Sequence, residues 1–101
     1  MVEGKHGEGD RRFRNWLKNA PTEAPVEQVR SALKRYFPNQ YDEKAGSHIV
    51  LWDERLKGHE GFGPAGDFSI PVKGGQKVKG YYLERLAKAI QIIEESKEDE
   101  Q

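Results

Sequence analysis

The sequence predicts an α+β domain with an α-β-β-β-α core: two helices on one face of a small antiparallel sheet, plus a short N-terminal helix. Three observations predict this class. Apolar residues recur at helical spacing in two stretches, Val26 to Phe37 and Leu83 to Ile93. Between them lie two short runs rich in β-branched and aromatic residues, Ser47 to Trp52 and Phe68 to Val72. Glycine and proline clusters punctuate the whole. A length of 101 residues suits one compact domain.

In chain order, residues 1–9 are polar and glycine-rich and read as disordered. Residues 10–20 read as a short helix capped by Asp10, with Phe13, Trp16 and Leu17 on one face. Residues 21–95 form the main domain, and residues 96–101 an acidic tail. Thr22 is the expected N-cap of the next helix, because Pro25 is tolerated in a first turn. Val26, Val29, Leu33, Tyr36 and Phe37 give that helix its apolar face, and Pro38-Asn39 ends it. A weak strand is expected around Gln40 to Lys44.

Ser47 to Trp52 is a strong strand candidate. Residues 53–66 read as a long loop with four glycines and a proline. Phe68, Ile70 and Val72 then alternate on one face of a strand, and Pro71 places that strand at an edge. Gly74-Gly75 turns the chain into a last helix, with Leu83, Leu86, Ala87, Ile90 and Ile93 on its buried face. The other sheet face is left to solvent or a partner.

Composition narrows the function. There is no cysteine, which excludes disulfides and thiolate metal sites and fits a reducing cytosol. No apolar run approaches the ~20 residues of a membrane helix, and residues 1–4 carry no hydrophobic signal core. A soluble cytoplasmic protein is therefore expected. The formal net charge is zero, but residues 94–101 hold five acids and one base, leaving 16 bases against 12 acids in the body. That acidic end reads either as a solvated helix end or as a polyphosphate mimic shielding the basic body.

Three glycine motifs do not carry chemistry. Gly61 to Gly66 matches a dinucleotide fingerprint, but a strand is expected after it where a helix is needed. Gly58 to Gly61 has KH-type spacing, yet it joins strands. Gly75 to Gly80 has phosphate-loop glycine spacing, with Tyr81 where lysine is required. No cluster suggests a metal or any other cofactor.

Two segments together carry a resemblance. They are Lys44-Ala45-Gly46-Ser47-His48, entering an apolar strand, and Ser69-Ile70-Pro71-Val72-Lys73-Gly74-Gly75-Gln76-Lys77-Val78-Lys79-Gly80, followed by Leu83-Glu84-Arg85-Leu86. Over about residues 25–93 the chain resembles the HicA toxin family of toxin–antitoxin systems. The resemblance implies a fold like a double-stranded-RNA-binding domain and ribosome-independent mRNA cleavage. It implies a HicB-type antitoxin as partner and His48 as the catalytic residue. Ile49 stands where many members have a second histidine, and Lys73 where another is common.

The chemistry fits those residues. Attack of a ribose 2′-OH on the adjacent phosphorus needs a base and an acid, and imidazole, titrating near ~6.5, can serve as either without a metal. Lys44, Lys73, Lys77 and Lys79 are candidates for phosphate contact, aided by glycines that permit close backbone approach. Ser47 is an expected RNA contact beside His48. If Ile49 and Leu51 face the helices, then His48, Val50 and Trp52 share the open face, where Trp52 could stack on a base; otherwise Trp52 joins the core. His59 could supply an acid if its loop folds back. The alternative functions are a non-catalytic RNA-binding module of the same fold and a protein-interaction domain.

Overall fold

The structure is a computed structural model that describes residues 13–44 and 48–99. The expectations for residues 1–12, including the Asp10 cap, and for Ser47 lie outside the described residues. The described residues form three α-helices, a short 3-10 helix at Glu54–Leu56 and two small antiparallel sheets. Helix α1 covers residues 13–19. Strand β1 is Glu23–Pro25, and helix α2 is Val26–Tyr36. Strands β2, β3 and β4 are Tyr41–Lys44, His48–Trp52 and Asp67–Pro71. Strand β5 is Lys77–Lys79, and helix α3 is Gly80–Asp99.

The β2-β3-β4 sheet buries one face. Ile49, Leu51, Phe68 and Ile70 join a single core with Val29, Leu33 and Phe37 from the α2 region and Leu83, Leu86, Ile90 and Ile93 from α3. Every apolar position assigned to the two main helices is buried. Among the described residues strand β4 pairs only with β3, so Pro71 sits on an edge strand, where proline is tolerated.

Helix α1 is too short to persist alone and is held by docking. Phe13 and Trp16 are buried, and the Phe13 ring meets Tyr36 of α2 edge-on at 6.1 Å. Arg14 binds Glu94 of α3 at 2.8 Å. Glu94, the first acid of the 94–101 acidic stretch, thus belongs to the packing of a helix that continues to Asp99.

Two expectations are corrected. Thr22 does not cap α2: the N-cap is Pro25, with no side-chain hydrogen bond. The Val26 N–H instead donates to the Gln76 carbonyl at 2.7 Å, so a distant turn supplies the acceptor that a cap side chain would give. Secondly, β1 and β5 form an unexpected second sheet, with Glu23, Ala24 and Pro25 opposite Lys79, Val78 and Lys77. The turn before β5 has positive φ at Gly74 and Gly75, and Gln76 N–H donates to the Lys73 carbonyl at 3.0 Å. Positive φ at both central positions is what a primed hairpin turn demands, and this accounts for the glycine pair.

Candidate nucleic-acid interface

The strand register determines which side chains share the open face. Directly opposed residues on antiparallel strands project to the same side. With Ile49 and Leu51 buried, His48, Val50 and Trp52 face away from the helices. His48 lies opposite Lys44 on β2 and Pro71 on β4. Val50 lies opposite Asp42 and Ser69, and Trp52 opposite Asp67.

His48 is half-buried, and Trp52 is 38% exposed, so Trp52 belongs to the open face rather than the core. Gln40 steadies the backbone there, its side-chain amide donating to the Trp52 carbonyl at 2.9 Å. Edge strand β2 is tied down by Arg30 of α2, whose Nε donates to Glu43 at 2.9 Å. That hydrogen bond is the main cause of a raised Arg30 pKa.

The predicted cations fall into two groups. Lys44 is beside His48, and its ammonium sits 3.0 Å from Asp42 on the same strand. Lys73, Lys77 and Lys79 gather at the second sheet. Strand β4 stops at Pro71, and Lys73 instead bridges to Lys77. Glu23 of β1 lies between these ammonium groups, 3.4 Å from Lys73 and 3.8 Å from Lys77. Lys79 is opposite Glu23 in the register and makes no ion pair among the described residues. The two groups meet at Pro71, which faces His48 and leads into the lysine hairpin. Three bases around one carboxylate leave that end of the molecule cationic.

His59 is exposed and stands apart from this site. Its loop leaves β3 at Trp52, four residues from His48 and about 13 Å along the strand. The loop is fastened to α3, where Lys88 donates to the Glu60 carbonyl at 3.2 Å. At its root, Asp53 is buried and receives a two-pronged contact from Arg55, with Nε at 2.9 Å and Nη2 at 2.8 Å.

Glu23 and Asp42 were not legible as site residues. Glu23 required the β1–β5 register, which no local pattern reveals. Comparison with known protein families, characterised proteins and solved structures finds no match to the chain.

Proposed function

We propose that this chain is a toxin-type endoribonuclease that binds and cleaves single-stranded mRNA through His48, without a metal. The carrying observation is a half-buried imidazole on the open sheet face, flanked by Lys44 and Pro71, with the helices on the opposite side. In this reading His48 takes the 2′-OH proton. The oxygen attacks phosphorus, the P–O5′ bond breaks, and the leaving oxygen gains a proton from water or a lysine. The 5′ fragment then ends in a 2′,3′-cyclic phosphate. Lysine ammonium groups stabilise the charge that builds on the phosphate. Trp52 offers a stacking surface on the same face. A HicB-type antitoxin and a cytoplasmic setting accompany this reading.

Position 49 faces the core, so a second histidine there would not share the open face with His48. Its replacement by isoleucine therefore takes no titrating group from that surface. Induced expression tests the proposal. Wild type is expected to arrest growth and degrade transcripts, and His48→Ala to do neither. Normal growth with intact transcripts under wild type would overturn it.

A further inference from the structure

A cleft of about 300 Å³ opens where the two sheets meet, lined by Pro71, Val72, Lys73, Lys79 and Tyr82. Its position, wall and rim each restrict the occupant. Pro71 is the register partner of His48, so the cleft begins on the strand next to His48, the two backbones about one strand spacing, ~4.8 Å, apart. Its apolar surface comes from Pro71, Val72 and the Tyr82 ring. That ring is held by neighbours: Tyr81 meets it edge-on at 5.0 Å, and Phe68 lies at 6.4 Å with a 31° tilt. A steady aromatic wall in a slot of this size suits a flat ring, because every nucleobase offers a π-face. Lys73 and Lys79 add two cations to the lining; Lys73 lies 3.4 Å from Glu23, and Lys79 has no carboxylate partner among the described residues.

We propose that this cleft seats one nucleoside phosphate of a bound RNA strand, its base against Tyr82 and its phosphate at Lys79 and Lys73, next to the phosphodiester at His48. The assignment rests on the RNA-cleaving reading above and adds to it a positioning subsite. An apolar peptide side chain would fill the slot but leave Lys79 without a counter-charge. The cleft holds the strand, and the open face does the chemistry.

The test measures binding of a single-stranded RNA oligonucleotide to the full chain carrying His48→Ala, which prevents cutting. Adding Lys79→Gln should weaken binding about five-fold and reduce the slope against log salt by about one. Adding Tyr82→Leu should weaken it about ten-fold, whereas Tyr82→Phe retains the ring and should bind as the parent does. Lys79 is exposed, so its variant decides the matter if Tyr82→Leu fails to fold. If the parent binds RNA and Lys79→Gln binds equally well with an unchanged salt slope, the cleft assignment is wrong and the cleavage reading stands. If the parent binds no RNA, both fall together. Adenosine monophosphate binding as tightly as the oligonucleotide would overturn assignment to an RNA strand.

Discussion

Asp53 shows how one residue prepares an interface it does not join. It follows Trp52 at the end of β3, and its buried carboxylate accepts from the Arg55 side chain and, at 3.0 Å, from the Arg55 N–H. The Arg55 side-chain hydrogen bond is the largest cause holding Asp53 below the ordinary carboxylate range, and burial opposes it. A depressed folded-state pKa means that this stabilisation is present above the unfolded value, near ~3.9, and is lost as pH falls through the folded one. The urea midpoint of wild type should therefore exceed that of Asp53→Asn at pH 7, by about 1–3 kcal/mol in stability, with the gap closing below about pH 4. A gap that persists unchanged at pH 2 would contradict this account. His48 presents the complementary case. Its side is decided by neighbours at the next position on each strand, because burying Ile49 and Ile70 turns His48 and Pro71 outward together.

At the scale of elements, the second sheet joins the cationic hairpin to the body. Gly80 opens α3 against the chain just before β1: its N–H donates to the Thr22 carbonyl at 2.7 Å, and a Cβ there would lie 2.3 Å from the Pro21 carbonyl oxygen. Backbone cannot yield as a side-chain tip can, so Gly80→Ala should cost about 1–3 kcal/mol, read as a lower urea midpoint. An unchanged midpoint would mean the contact is not needed. The long elements were legible because each carries its own period. Leu83 to Ile93 repeat as a helix must, and Phe68, Ile70 and Val72 alternate as a half-buried strand must. Strands β1 and β5 were not legible. Three residues are too few to display alternation, and Val78 is buried between two lysines only because Ala24, 54 positions earlier, pairs with it. The Thr22 cap failed for the same reason: the acceptor for α2 arrives from Gln76 through tertiary contact. On the interface, the outward face of β3 was readable from strand alternation, while the lysine-Glu23 grouping depended on that hidden pairing.

At the scale of the molecule, charge is divided. Glu94 is engaged with Arg14, while the hairpin lysines collect around Glu23 at the sheet junction. Glu23 therefore holds the cationic end in check, since it faces two of the ammonium groups a phosphate would meet. Glu23→Gln should tighten single-stranded RNA binding about five-fold at low salt, equivalent to about 1 kcal/mol, and steepen its salt dependence. Weaker binding by that variant would show that these lysines do not meet phosphate. Product analysis tests the role of the His48 imidazole most directly. Purified chain in the presence of a chelator is incubated with a single-stranded RNA, and the fragment ends are identified. Wild type should release 5′ fragments ending in 2′,3′-cyclic phosphate, and a 2′-deoxy substitution at the scissile nucleotide should block the cut. His48→Ala should be at least about 100-fold slower while keeping its fold. Cleavage by His48→Ala at the wild-type rate would contradict the account.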